Sequence, residues 1–200
     1  MMIRLLQRIP ILLLAVLSAC STVQQTAPTA VIMDGLANNR DIQQWSVSGK
    51  VGLRSNQQAH SAYLNWRQCG EVFDIRLSGP LGQGAAHLTG DSKQVYLVTA
   101  DKQRYSASNT STLLKQQFGW TLPMEQLRYW LRALPDPNYS HRVDNNNAPG
   151  FEQQAWQLSY PRFIKHSAYQ LPSRIIAEQP TVKVTVVINQ WQLDPDCNTP

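Results

Sequence analysis

The chain has 200 residues, 42% of them hydrophobic and 16% charged, with 18 Lys and Arg against 13 Asp and Glu and a formal net charge of +5. That length suits one domain with a sizeable core. The charge is too mild for a nucleic-acid binder, and the Lys and Arg form no dense run. The first element is a leader. Arg4 and Arg8 flank the start of IPILLLAVLSA, an apolar segment of about ten residues that ends in small ones. Charge, length and ending are those of a secretory signal, and the segment is too short to span a bilayer. Without residues 1–19, 181 residues remain, with 16 basic side chains against 13 acidic, a balance of +3. A weak attraction to anionic lipid head groups survives.

The leader ends in Leu17-Ser18-Ala19-Cys20, which resembles the lipobox of bacterial lipoproteins. In that motif the Cys becomes the first mature residue. It takes a diacylglycerol on sulfur and an acyl chain on nitrogen. Each buried methylene contributes roughly 0.8 kcal/mol, so several chains make a near-permanent anchor. Residue 21 is Ser, whereas Asp at that place marks lipoproteins kept in the inner membrane; Ser21 points to the outer membrane. Two further cysteines, Cys69 and Cys197, face an oxidising compartment. They either pair or stay separate thiols, since nothing in the sequence sets their Cα distance. There is no Cys-x-x-Cys and no Cys/His cluster, so no metal site is expected.

After Cys20 the segment to residue 31 is small and polar and reads as a flexible tether. The domain is expected over 32–195, with a frayed tail at 196–200. VIMDGLANNRDIQQW carries Ile32, Met33, Leu36 and Ile42 at loosely helical spacing and predicts a short helix over 33–43, weakened by Gly35. From Trp45 the period becomes two. WSVSGKVGL sets Trp45, Val47, Gly49, Val51 and Leu53 on one face. HSAYLNW groups Ala62, Leu64 and Trp66. VFDIRL turns Phe73, Ile75 and Leu77 inward and Asp74 and Arg76 outward. Polar turns separate these runs, giving an antiparallel meander with one wet face. SGPLGQG then reads as a hairpin tip before AAHLTG, shaped by Pro80 and by glycines at 79, 82 and 84, yet it carries the apolar Leu81. QVYLV and QRYSA continue the meander.

Next come two short helices. SNTSTLLKQQFGW has cap-type residues before Leu113, Leu114 and Phe118, and Gly119 as a stop. TLPMEQLRYWLRALP starts at Pro123 and carries Met124, Leu127, Leu131 and Leu134 as a helical stripe up to Pro135. PDPNYSHRVDNNNAPG reads as a loop. Strands return in QAWQLSY, with Trp156, Leu158 and Tyr160 on one face, in YQLPSRIIAEQP as a broken strand, and in TVKVTVVINQWQL, where Val182, Val184, Val186 and Ile188 point inward.

Catalytic patterns are not evident. His60, His87, His141 and His166 have no metal spacing. GPLGQG lacks the Lys-Ser/Thr of a phosphate loop and opens no helix. There is no Gly-x-Ser-x-Gly elbow. The predicted domain does hold all six Trp, at 45, 66, 120, 130, 156 and 191. The fold class that follows is α+β, mainly β with a few helices. Its core is a curved antiparallel sheet around an apolar cavity closed by short helices. The residues expected to line that cavity are Trp45, Val47, Leu64, Trp66, Phe73, Ile75, Leu127, Leu131, Trp156, Val184 and Val186.

An acylated Cys, a helix, then WSVSGKVGL, AYLNWRQ, FDIRLSGPLG and MEQLRYWL in that order resembles the LolB family of outer-membrane lipoprotein receptors. The likeness covers essentially the whole mature chain and is weakest in 136–155 and after 194. Its most specific parts are the strand pair ending in Trp66-Arg67-Gln68 and the Gly-Pro-Leu-Gly tip. It implies an incomplete barrel with a helical lid, with no enzymatic activity and no cofactor. It further implies a monomer lipid-anchored at Cys20 in the outer membrane and facing the periplasm. Such a protein accepts acylated lipoproteins from a periplasmic carrier of the LolA type and inserts them among outer-membrane lipids. Pro80, Leu81 and Gly82 match the family's protruding insertion loop. Cys69 and Cys197 belong to no motif of the family. The polar sheet face keeps a second reading open, a non-transporting envelope lipoprotein that scaffolds other proteins.

Overall fold

The computed structural model describes residues 36, 38–55, 58–79, 84–118, 122–144 and 148–198. Within them a single antiparallel sheet of eleven strands is wrapped around two helices. The first six strands are β1 (Gln44–Ser55), β2 (Ala59–Cys69), β3 (Val72–Ser78), β4 (Ala86–Gly90), β5 (Val95–Thr99) and β6 (Arg104–Ala107). Two helices follow, α1 (Thr110–Phe118) and α2 (Met124–Trp130). The last five strands are β7 (His141–Asp144), β8 (Gly150–Gln153), β9 (Trp156–His166), β10 (Tyr169–Gln179) and β11 (Val182–Leu193). The spatial order β6-β5-β4-β3-β2-β1-β11-β10-β9-β8-β7 joins two meanders at β1 and β11. In the chain the helices lie between the two edge strands, β6 and β7.

The alternation read from the sequence sets the faces. Trp45, Val47, Leu64, Trp66, Ile75, Leu88 and Leu97 are buried on one side of the first meander, and Trp156, Leu158, Tyr160, Ile175, Val184 and Val186 on the same side of the second. The central seam needs one glycine. Between Ser48 and Gly49 the pairing with β11 slips by a residue, and a Cβ on Gly49 would lie 2.1 Å from the Val187 carbonyl oxygen. Only a residue without a side chain admits that approach. Across the base of the seam Cys69 and Cys197 form a disulfide, with Cα atoms 5.9 Å apart. It ties the end of β2 to the tail beyond β11, over the start of β1.

Four expectations change. The helix over 33–43 is, in its described part, a 3₁₀ turn at Asn38–Asp41, and the chain is in β1 by Gln44. Residues 33–35 and 37 lie outside the described residues. The turn is held from outside: the Asn39 amide donates to the carbonyls of Arg132 (2.9 Å) and Gln170 (2.8 Å). The α2 stripe does not run as helix to Leu134. After Trp130 the chain closes a left-handed cap: Ala133 has φ 58°, its N–H donates to Trp130 O, and Leu134 N–H donates to Tyr129 O. This is the Schellman arrangement with Ala where Gly is usual. Leu131 and Leu134 still point inward. The 135–150 loop contains the edge strand β7 and the first residue of β8. The broken strand is continuous, with irregular register on both sides of Arg174.

Candidate functional site

The residues expected to line a cavity come together on the inner face. All of them belong to one hydrophobic cluster between sheet and helices; Phe73 is partly buried and the rest are buried. Trp45 is the centre of the first half, with ring centroids 5.5 Å from Trp66 and 5.6 Å from Trp191. In the second half Trp130 lies 6.0 Å from Trp156. Each ring with a buried indole N–H needs an acceptor. Trp66 donates to Gln68 Oε1 (2.9 Å), Trp191 to the Pro172 carbonyl (2.8 Å), and Trp130 to Gln153 Oε1 (2.9 Å). These bonds fix how the rings are turned.

Gln153 is the hub that holds α2 to the second meander. It is 1% exposed. Its Oε1 accepts from Trp130 Nε1 and from Asp136 N–H (2.9 Å), and its Nε2 donates to the carbonyls of Asp136 (2.9 Å) and Tyr139 (3.0 Å). All four positions of the amide are therefore used. Beside it the Tyr160 hydroxyl donates to the Trp130 carbonyl at 3.0 Å, and burial pushes its pKa well above the usual phenol range. The end of α2 is pinned while the rest of the helix covers the inner face. Sequence reading did not single out Gln153, and it met Gln68 only as part of the Trp66-Arg67-Gln68 run, because a polar residue in a strand gives no sign that it is buried.

At the end of the sheet that carries the β2–β3 turn, two clefts open beside α2. One, of about 130 Å³, is walled by Trp66, Phe73, Ile75, Met124 and Arg128 and is mainly apolar. The other, of about 510 Å³, has Trp45 on its wall among Arg40, Arg128, Tyr129 and Arg132. Of the predicted lining residues, Trp45, Trp66, Phe73 and Ile75 reach these openings, and Trp156 lines a third cleft with Pro123, Glu125 and Gln126; Leu64, Leu127, Leu131, Val184 and Val186 lie within the packing. On the outer face Asp74 sits between Arg67 (3.7 Å), Arg76 (3.0 Å) and His87 (3.0 Å). Such partly exposed pairs contribute little to stability. β3 ends and β4 begins at the opposite end of the sheet from the β2–β3 turn. Cys20, Pro80, Leu81 and Gly82 lie outside the described residues, as does Trp120. Among the described residues no group of His, Cys, Asp and Glu is arranged to hold a metal.

The model of the family described as outer membrane lipoprotein LolB matches residues 43–191. An outer-membrane lipoprotein LolB of Pseudomonas fluorescens is 40% identical over 150 residues, covering 74% of this chain and 73% of its own. That of Stutzerimonas stutzeri is 35% identical over 181 residues, covering 89% and 88%. Among solved structures, a LolA superfamily protein from Nitrosomonas europaea superposes with a TM-score of 0.51 at 10% identity, covering 82% of this chain and 94% of its own. A DUF1329 family protein from Desulfovibrio piger gives 0.53 at 8% identity, covering 84% and 94%. These two show a shared open-sheet fold. From the inner cluster and its helical cover to the matched span from 43 to 191, the chain belongs to the outer membrane lipoprotein LolB family.

Proposed function

We propose that this protein is an outer-membrane receptor that accepts acylated lipoproteins from a soluble periplasmic carrier and inserts them into the outer membrane. Membership of the LolB family is the observation that carries the reading. Residues 1–19 are a signal peptide, Cys20 is the lipidated first residue, and the segment to residue 31 is the tether. The domain faces the periplasm as a monomer. A triacylated client cannot cross water alone, because each exposed methylene costs roughly 0.8 kcal/mol. The inner cluster offers apolar surface of the right chemistry. Since its residues are buried against one another, a guest chain enters only as α1 and α2 shift outward and rings such as Trp66 give way. The two clefts beside α2 are where such an opening would begin. Transfer runs down a gradient of affinity, from carrier to receptor to bilayer.

Leu81, flanked by Pro80 and Gly82, is the insertion probe. It lies in the connection between β3 and β4, and a leucine there enters the head-group region at little cost. The test uses carrier loaded with a client, this protein, and liposomes. Leu81→Glu retains uptake of the client from the carrier and loses its release into liposomes. Release at the parental rate removes the role assigned to Leu81; no uptake by the parent removes the receptor itself. A scaffolding role, favoured by the polar outer face around Asp74, predicts no displacement of a fluorescent fatty acid by client acyl chains.

A further inference from the structure

The larger cleft has more positive charge than a lipid-chain binder needs. Arg40, Arg128 and Arg132 stand on its wall against Glu71 and Asp136. Both acids already have partners. The Glu71 carboxylate is 3.6 Å from Arg128 Nη2, and it is held below the usual range by Ser92 and then by Arg128. Asp136 Oδ1 accepts from the N–H and the side-chain amide of Asn138, both at 3.0 Å.

Two arginines stand out, Arg128 in the last turn of α2 and Arg132 in the cap that follows it. Arg128 and Arg132 are one turn apart and share a single ring, with their guanidinium carbons 4.9 Å and 5.5 Å from the Tyr129 centroid. Arg132 is 7% exposed and pairs with no carboxylate among the described residues. Its Nε donates to the Arg128 carbonyl and its Nη1 to those of Asn39 and Ile42. No acceptor among the described residues is bonded to its Nη2. Burial, with a smaller repulsion from Arg128, lowers its pKa to about 10. Arg128 donates from Nη2 to the Tyr129 hydroxyl at 3.0 Å, while its Nε is buried and has no partner. Two like charges over one ring, with donor capacity left over, are the arrangement that an oxyanion completes.

We propose that Arg128 and Arg132 form an oxyanion site, suited to a phosphate group, in the cleft between α2 and the start of β1. Arg40 adds long-range attraction. Arg128 also walls the smaller apolar cleft with Phe73, Ile75 and Met124. A phosphate held by the arginine pair therefore places anything esterified to it beside apolar side chains. The shared chemistry is that of free phosphate and of a phospholipid head group; the site occupies the larger of the two clefts beside α2 but does not depend on the lipoprotein-transfer reading.

The mature protein in maltoside micelles, which hold no phosphate, is titrated calorimetrically at low salt with three probes. They are inorganic phosphate, dihexanoyl phosphatidylglycerol and dihexanoylglycerol. The phosphate-bearing probes bind saturably and the neutral diglyceride does not. Arg128→Gln, at a side chain that is 23% exposed, weakens binding about tenfold or more. Tighter binding of the phospholipid than of phosphate assigns the site to a head group, and equal binding to the free ion. No binding of either, or equal binding by Arg128→Gln, overturns the proposal. Arg132→Lys serves as a second variant, with its melting curve measured because the side chain also holds the Asn38–Asp41 turn.

Discussion

Replacing Gln153 by Leu keeps the volume and removes every hydrogen bond of the hub. Trp130 is 0% and Asp136 3% exposed, so the indole N–H and the Asp136 N–H lose their acceptor with no water to replace it. Each orphaned buried donor costs about 1–3 kcal/mol. The carbonyls of Asp136 and Tyr139 lose their donor as well, although Tyr139 is exposed and its carbonyl is open to hydration. The apolar side chain recovers part of this, leaving a net loss of about 3–5 kcal/mol, a large share of the stability of an ordinary domain. Urea denaturation followed by tryptophan fluorescence reads it directly, and the midpoint temperature should fall by on the order of 10 °C. Gln153→Glu sharpens the test. It keeps the acceptor for Trp130 and Asp136 but turns a second oxygen toward two carbonyls, so its folded pKa rises above the unfolded value of about 4.3. That variant is near parental stability below the unfolded pKa and loses stability as pH rises through the folded one. A Leu variant within about 1 kcal/mol of the parent, or a Glu variant whose deficit is flat with pH, would refute the account of Gln153.

The disulfide closes a separation of 128 residues, for which the chain-entropy model gives about 5 kcal/mol at 25 °C. Cys69→Ser with Cys197→Ser should lower the urea midpoint by an equivalent of several kcal/mol and make it insensitive to reductant; an unchanged midpoint contradicts the assignment. The raised Tyr160 pKa adds a dependence at alkaline pH. Its contribution is complete below the unfolded value of about 10 and is lost as pH climbs toward the folded value. Tyr160→Phe costs about 1 kcal/mol at neutral pH, through the lost bond to Trp130 O, and should flatten the fall in stability above pH 10. Denaturation midpoints at pH 8 and pH 11 for the two proteins decide this.

Strands with one wet face were legible, because burial on one side imposes a period of two. Trp45 to Leu53, Leu64 and Trp66, and Val184 to Ile188 all fall where that period puts them. β7 was not legible. His141, Arg142 and Val143 are exposed at a sheet edge, so HRVD carries no alternation and reads as loop. The 3₁₀ turn at Asn38–Asp41 was missed for a related reason: Asn39 takes its bonds from Arg132 and Gln170, 93 and 131 residues away. α2 ended early because Ala133 adopts the left-handed conformation, which nothing in the Ala side chain announces. The apolar interior was legible as a set of residues, whereas Arg128 over Tyr129 was not, because the cleft exists only when α2, the β2–β3 turn and the 3₁₀ turn meet.

The strand order also sets a timetable. β1 is among the first parts of the domain to be synthesised, and its partner β11 is the last. From the end of β1 at Ser55 until β11 begins at Val182, β1 has β2 on one side and an open edge on the other. That edge runs from Trp45 to Leu53 and is strongly apolar on one face, which is the kind of template on which unfolded chains aggregate. Contacts so distant in sequence also slow the final collapse. A chain whose centre is completed last needs that edge protected until residue 193 has arrived, and the disulfide beyond it then seals the join.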